Sequence, residues 1–179
     1  MRRITALIFT TLAFAFMNET QAQKFSGLDK SPHDITYYRT ERNAPPLIKV
    51  VYGRPQKKER KIFGGIVAYN QIWRTGANEA TEITFYKNVK FGNKNVKAGT
   101  YVLHTIPGEN EWTIILNSKL DVWGAYSYEE KLDVARIKVP SKTDEKELEA
   151  FSIAFKPVDQ GVHMVLGWDT TRVAIPIDL

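Results

Sequence analysis

The sequence has 179 residues, of which 43% are hydrophobic and 25% are charged, and its formal net charge is +5 at pH 7. This composition excludes a wholly disordered chain, and the length favours one domain, because domains usually contain about 100–200 residues. The sequence contains no cysteine, which excludes disulfides, cysteine-zinc sites and thiol catalysis.

The first 22 residues are predicted to be a secretory signal peptide. A Met-Arg-Arg start precedes an apolar stretch of about 13 residues, and the small residues of Thr-Gln-Ala at 20–22 offer a cleavage point. A transmembrane helix needs about 20 apolar residues, so this stretch is too short to be a membrane anchor. We therefore expect an exported mature chain, periplasmic or extracellular, that begins at Gln23 and has no transmembrane segment and no nucleic-acid partner.

The next part of the chain favours short extended elements. Residues 23–45 are polar and rich in turn residues, which predicts an irregular N-terminal segment with a short strand over 34–40. Residues 47–52 are mostly β-branched or apolar and predict a strand that ends in a turn. Residues 62–69 are predicted to be extended, with a kink at two consecutive glycines.

The clearest strand pattern covers residues 81–91, where apolar and polar side chains alternate. Further strands are predicted at 101–106, 112–116, 135–139, 151–155, 162–168 and 173–177, with turn residues between most of them. Residues 143–150 are open to two interpretations, a short helix with capping-box spacing or the approach to the next strand. Residues 46–179 are therefore predicted to form an all-β domain, a single antiparallel β-sandwich of jelly-roll or meander type with little helix.

Known catalytic and metal-binding spacings are missing from the sequence, so we expect no metal and no cofactor. It has no His-x-His pair, no Gly-x-Ser-x-Gly turn and no phosphate-binding loop. The most unusual segment, residues 71–81, brings together Trp73, Arg74, Asn78 and Glu79. As a pocket wall, Arg74 would bind a carboxylate or sulfate, the amide and carboxylate would bind hydroxyls, and the indole would stack. The alternative is a structured connection in which Arg74 pairs with Glu79 and Asn78 caps the backbone.

Three further residues are candidates for the same site. Arg54 and Arg60 flank a turn, and Arg54 shares the inward parity of the preceding strand, which predicts an ion pair with Glu79 or Glu82. Trp123 is either a core or rim aromatic or part of an exposed platform for a sugar. His104 shares the parity of apolar neighbours, which is more typical of a packing residue than of a ligand.

Short motifs spread over residues 31–179 also carry a family resemblance. They are Tyr52-Gly53-Arg54-Pro55, Ile62-Phe63-Gly64, Trp73-Arg74-Thr75-Gly76-Ala77-Asn78-Glu79-Ala80-Thr81, Ala98-Gly99-Thr100-Tyr101, Thr105-Ile106-Pro107, Glu111-Trp112-Thr113, Trp123-Gly124-Ala125-Tyr126 and Trp168-Asp169-Thr170-Thr171. The chain resembles the exported bacterial family called domain of unknown function 2911, common in Bacteroidetes. The resemblance implies no assigned activity and no catalytic residues. His104 stands where similar sequences usually carry phenylalanine.

Three functions are consistent with the sequence. The first is a non-enzymatic envelope module that binds a small anionic or hydroxylated ligand, or a protein partner. The second is a hydrolase of envelope glycans that uses Glu79 with Glu82 or Asp169, a pair that would need about 5–9.5 Å between carboxyl groups. The third is a purely structural envelope protein. Of these, the absence of an evident nucleophile favours the binding module.

Overall fold

The computed structural model describes residues 23–179, and the predicted signal peptide at 1–22 lies outside the described residues. Within that described range, no helix is long and apolar enough to cross a membrane. The regular structure consists of strands and one 3₁₀ turn, Glu130–Leu132. The strands are β1 (His33–Tyr38), β2 (Ile48–Gly53), β3 (Thr81–Phe85), β4 (Val89–Phe91), β5 (Lys94–Val96), β6 (Gly99–Ile106), β7 (Glu111–Asn117), β8 (Asp133–Val158) and β9 (Gly161–Asp178).

All strands belong to one antiparallel sheet with the order β1-β2-β3-β6-β7-β8-β9-β4-β5. The long strand β8 joins two half-sheets, because its residues 133–140 pair with β7 and its residues 141–158 pair with β9. The register between β8 and β9 breaks twice between Thr143 and Ser152. Such irregularities bend a strand and let it pass from one layer to another. The predicted all-β antiparallel fold is confirmed.

The two half-sheets enclose one apolar core. Aromatic rings from opposite halves meet there: Tyr52 of β2 lies 5.8 Å from Phe151 of β8, and Phe85 of β3 lies 6.3 Å from Phe91 of β4. The alternation predicted for residues 81–91 is confirmed in β3, since every second residue from Thr81 to Phe85 is buried. The predicted single strand is wrong, because residues 86–88 divide it into β3 and β4. Burying one face of each strand in this way is the main source of stability for an antiparallel layer.

A second buried layer lies on the opposite face of β6 and β7. Val102, His104 and Ile115 are at most 2% exposed, although their neighbour Leu103 points into the main core. Residues 118–132 cover this face, and we call them the covering segment. It is fixed at one end by the Asn117 side-chain amide, which donates to the Glu129 carbonyl oxygen at 3.0 Å.

Two other local predictions also change in the structure. Residues 62–69 form a tight turn rather than a strand, with Val67 N–H donating to the Ile62 carbonyl oxygen at 3.0 Å. Residues 143–150 are part of β8 rather than a helix. The Asp144 carboxylate does cap a backbone N–H, that of Lys146, at 2.8 Å. Pairing with β9 outweighs this local helix signal, as tertiary contacts commonly do.

Candidate functional site

The segment that carries most of the candidate residues lies directly against the end of β2. A Cβ atom on Gly53 would lie 2.2 Å from the carbonyl oxygen of Ala77, and one on Gly76 would lie 2.9 Å from the carbonyl oxygen of Gly53. Only glycines allow two backbones to approach this closely. The two motifs recognised in the sequence are therefore in direct backbone contact.

The same segment is anchored to β6 on its other side. The backbone N–H of Trp73 donates to the Thr105 carbonyl at 2.7 Å, and the N–H of Thr105 donates back at 3.0 Å. The carbonyl of Arg74 accepts from the N–H of Thr81 at 3.1 Å, which closes residues 74–81 into a loop. These bonds fix the backbone from which the Arg74 side chain projects.

Thr75 has a backbone conformation that is unusual for a β-branched residue. Its φ is 57°, in the left-handed region, and such positions cost roughly 1–3 kcal/mol. Two hydrogen bonds hold it: its hydroxyl donates to the Thr105 hydroxyl at 3.1 Å, and its carbonyl accepts from the Thr81 hydroxyl at 2.7 Å. Buried hydrogen bonds thus hold the loop in this costly conformation, which is typical of a segment that positions a side chain for binding.

A cavity of about 320 Å³ opens beside this loop, and we call it the Arg74 pocket. This volume lies at the lower end of the range of small-molecule sites. The residues that line it include two arginines, an asparagine and two tryptophans, and none of them is acidic: Ser31, Pro55, Arg60, Ile66, Val67, Trp73, Arg74, Gly76, Ala77, Asn78 and Trp168. The pocket therefore carries a positive charge that its own lining does not neutralise.

Arg74 is the unusual group in this pocket. Its Nε atom is buried and has no hydrogen-bond partner, and no carboxylate among residues 23–179 forms a salt bridge with its guanidinium. Its Cζ atom lies 6.0 Å from the centre of the Trp123 ring, a cation–π contact. The alternative prediction, an Arg74–Glu79 pair, is wrong, because the Glu79 carboxylate contacts His33 Nε2 at 3.1 Å instead.

Arg60 and Asn78 lie on the pocket wall as predicted. Arg60 is held by its own turn, with Nε donating to the Lys57 carbonyl at 2.9 Å, and no carboxylate among the described residues forms a salt bridge with it. Asn78 has a φ of 62°, and its carbonyl accepts from the Gly124 N–H at 2.9 Å. The backbone N–H of Ser31 and the Asn78 amide both lower the pKa of Asp29.

Trp73 lines the pocket but belongs mainly to the core. It is 9% exposed, and it stacks on Trp168 with ring centres 6.1 Å apart and planes 16° apart. Phe63, Trp112 and Phe151 surround it with ring centres 5.2–6.2 Å away. Its predicted role as a stacking platform for a ligand is therefore replaced by a structural one, with one part of the indole reaching the pocket.

Arg54 lies outside the Arg74 pocket and acts as a structural connection. Its Nη1 donates to the Asp34 carboxylate at 2.8 Å, its Nη2 to the Ser152 hydroxyl at 2.8 Å, and its Nε to the Phe151 carbonyl at 3.1 Å. These bonds join β1, β2 and β8. The predicted ion pair exists, but its partner is Asp34 rather than Glu79 or Glu82, because β1 pairs with β2 beside this position.

The carboxylates considered for hydrolysis already have other partners. Glu79 and Glu82 share a neighbouring depression of about 220 Å³, where His33 binds the first and the backbone N–H of Asp121 donates to the second. Asp169 lies elsewhere and contacts Lys57 Nζ at 2.9 Å. In the part of the chain that the structure describes, no group of three or more metal-ligating side chains is placed to hold a metal ion.

The covering segment contributes the exposed aromatic residues of the site. Trp123 is 59% exposed and stacks on Tyr126, which is 81% exposed, with ring centres 5.7 Å apart and planes 14° apart. The core interpretation of Trp123 is therefore wrong. The covering segment lies beside the Arg74 loop because residues 78–80 pair with it, as in the Ala80 N–H bond to the Val122 carbonyl at 2.9 Å. Sequence spacing gave no signal for this contact.

Beneath the covering segment, His104 is buried and only 2% exposed. Its ring lies 5.2 Å from the Tyr128 ring, and its Nδ1 has no partner. Burial lowers the pKa of His104, while a hydrogen bond with the Trp73 backbone and the charge of Asp133 act more weakly in the opposite direction. Burial and the Asp133 hydrogen bond raise the pKa of Tyr128 to about 12, so Tyr128 stays neutral.

This burial predicts that His104 contributes to the pH dependence of stability. Below pH 6.5, the ordinary pKa of histidine, the unfolded chain binds a proton on His104 more readily than the folded chain does. The stability that depends on neutral His104 is therefore fully present above pH 6.5. It is lost as the pH falls toward the lowered pKa that His104 has in the folded protein. Urea unfolding of wild type and His104→Phe above and below pH 6.5 measures it. We expect the variant to lose less stability on acidification, and equal losses in both would contradict this.

Comparison with known proteins gives one match. A family model described as "Protein of unknown function (DUF2911)" matches residues 31–177. No curated protein and no solved structure matches the chain. The matched range includes the Arg74 pocket and the covering segment.

Proposed function

This chain belongs to the DUF2911 family, and we propose that it is a non-enzymatic binding module that holds a small anionic or hydroxylated ligand in the Arg74 pocket. The observation that carries the proposal is the state of Arg74. A guanidinium has five N–H donors and a permanent charge, and native folds normally satisfy such a group when it is partly buried. Here the Nε atom is buried without a partner.

Two other partly buried arginines show what a structural role looks like in this protein. Arg136 contacts the Asp133 carboxylate at 3.1 Å, and Arg54 contacts Asp34 at 2.8 Å. Arg74 has no equivalent contact, although leaving a buried donor unsatisfied costs about 1–3 kcal/mol. A bound carboxylate that accepts from Nε and the neighbouring Nη would satisfy this donor and compensate the charge, because its two oxygens match the planar fork.

The surroundings of Arg74 support an anionic ligand. Arg60 adds a second positive charge to the same wall, and no acidic residue lines the cavity. Asn78 offers an amide that can bind a hydroxyl group. We prefer binding to hydrolysis because Glu79 is engaged by His33 and Glu82 accepts a backbone N–H.

We further propose that the protein acts outside the cytoplasm, in the periplasm or the medium. The support is the three-part pattern of residues 1–22, which is typical of a cleaved secretory signal. N-terminal sequencing of the protein from its native host is expected to begin at or near Gln23. Envelope material that still starts at Met1 would contradict cleavage.

Replacing Arg74 tests the proposed function. Acetate is the probe, because it presents a carboxylate and little else, and sodium chloride at the same ionic strength controls for screening. Arg74→Ala should weaken acetate binding by about 10- to 150-fold, the equivalent of a lost charge-assisted hydrogen bond of about 1.5–3 kcal/mol. The stability of the variant in urea should change by less than about 1 kcal/mol, because no ion pair is broken.

Arg42→Ala is the matched control for this experiment. Arg42 is exposed to solvent and does not line the Arg74 pocket, and its replacement by alanine removes the same charge. It should leave acetate binding unchanged. A loss of about 3–5 kcal/mol in Arg74→Ala would show that Arg74 is a buried structural charge. Unchanged stability with unchanged acetate binding would remove Arg74 from the site.

A further inference from the structure

Beside the Arg74 pocket lies a feature that anion binding alone does not use, the stacked pair Trp123 and Tyr126. We infer that the ligand is an acidic sugar, a pyranose that carries a carboxylate, with the carboxylate on Arg74 and the ring face on this aromatic pair. The inference rests on the proposed function, since it names the class of ligand for the same pocket. It adds a second contact surface, for the sugar ring, and it requires that the ligand carry hydroxyl groups.

The fold buries little of the surface of these two aromatic side chains. Tyr126 is 81% exposed and Trp123 is 59% exposed, so most of both rings faces solvent. Exposed aromatic surface that is held in a fixed arrangement is typical of recognition rather than of packing. The C–H groups on one face of a pyranose form a flat apolar surface, which matches an aromatic ring face in size and shape.

The backbone between the two rings is shaped to hold the pair together. A Cβ atom on Gly124 would lie 2.6 Å from Tyr126 Cε2 and 2.7 Å from its Cδ2, and the φ of Gly124 is +68°. Glycine is therefore required for the Tyr126 ring to lie over the turn and against Trp123. An aromatic stack that needs a specific glycine and buries little surface is more than a chance surface contact.

The arginine fork lies beside the Trp123 ring of the stack. Arg74 Cζ lies 6.0 Å from the centre of the Trp123 ring, and the backbone N–H of Gly124 donates to the Asn78 carbonyl at 2.9 Å. The covering segment and the pocket wall are therefore joined at this point. A carboxylate at Arg74 would place the attached ring beside the aromatic pair.

The surrounding charges favour one negative charge with several hydroxyls. Arg74 and Arg60 attract an anion, whereas Asp29 lies at Asn78 and repels a second negative charge at that edge. The Asp29 carboxylate can accept hydrogen bonds from hydroxyl groups of the ligand, and the Asn78 amide can donate to them or accept from them. This pattern fits a uronic acid better than a polyphosphate or a sulfate-rich glycan.

Titration with three small probes tests the inference: glucuronate, glucose and acetate. Glucuronate combines the ring of glucose with the carboxylate of acetate. We expect it to bind at least tenfold more tightly than either. Arg74→Ala should abolish the preference for glucuronate over glucose. Tyr126→Ala and Gly124→Ala should bring the ratio of glucuronate to acetate affinity close to one.

Tyr86→Ala is the control, because Tyr86 is a 50% exposed tyrosine that does not line the pocket, and it should keep the wild-type ratio. If acetate binds through Arg74 but glucuronate binds no more tightly, the acidic-sugar inference is overturned while the proposed function stands. If glucose binds as tightly as glucuronate, the carboxylate contact is overturned. If neither acetate nor glucuronate binds, the proposed function itself fails.

Discussion

Trp73→Ala is expected to lower the free energy of unfolding by about 3–5 kcal/mol, the usual range for removing a buried tryptophan or phenylalanine. Trp73 is 9% exposed and stacks on Trp168 between the two half-sheets. Its removal would leave a cavity among rings that come from several separate parts of the chain. The neighbouring rings cannot fill this cavity unless strands move, so little of the lost free energy of unfolding is recovered.

Trp123→Ala is the matched control, because the same side chain is removed from a position that is 59% exposed. Its stability should stay within about 0.5 kcal/mol of wild type, as surface substitutions usually do. Urea unfolding followed by circular dichroism measures both variants. Equal losses would show that Trp123 packs as tightly as Trp73, and a Trp73→Ala loss below about 1 kcal/mol would contradict the aromatic core.

The second large effect is expected at Gly53. A methyl group there would lie 2.2 Å from the carbonyl oxygen of Ala77 and 2.9 Å from its carbonyl carbon. Because both contacts are backbone atoms, Gly53→Ala must separate β2 from the loop that carries Arg74. We expect a loss of at least about 1–3 kcal/mol, typical of overpacking, together with weaker acetate binding.

Gly27→Ala provides the control for this substitution, since no atom lies within 4 Å of the added methyl group. Its stability and acetate affinity should match those of wild type. Thermal or urea unfolding and an acetate titration on the two variants give the comparison. If Gly53→Ala is as stable as Gly27→Ala, the close contact between β2 and the Arg74 loop is wrong.

Much of the fold could be predicted from the sequence because alternation is a local signal. In β3 the pattern of every second apolar residue shows directly which side faces the core. The unusual segment at 71–81 was also recognisable, and the structure places Arg74 and Asn78 on one pocket. The residue types of a short stretch were enough to predict these two features, because the residues that form each feature are close in sequence.

The remaining errors concern partners that are distant in sequence. Alternation placed Arg54 on an inward row but could not show that Asp34, on the neighbouring strand, would be its partner. Trp73 and Trp123 both had the chemistry of a stacking platform. Only the packing of the half-sheets and the covering segment decides that the first is buried and the second exposed. These contacts depend on the tertiary arrangement, which a local pattern does not specify.

The measurement that tests the central claim most directly is a nitrogen-15 NMR titration of the arginine side chains with acetate. The Arg74 guanidinium has a buried Nε–H without a partner, whereas the Arg54 Nε–H already donates to the Phe151 carbonyl at 3.1 Å. We predict that acetate shifts the Arg74 Nε–H signal in a saturable manner and leaves the Arg54 signal in place. An Arg74 signal that does not move, or moves only as sodium chloride moves it, would contradict an anion site in the Arg74 pocket.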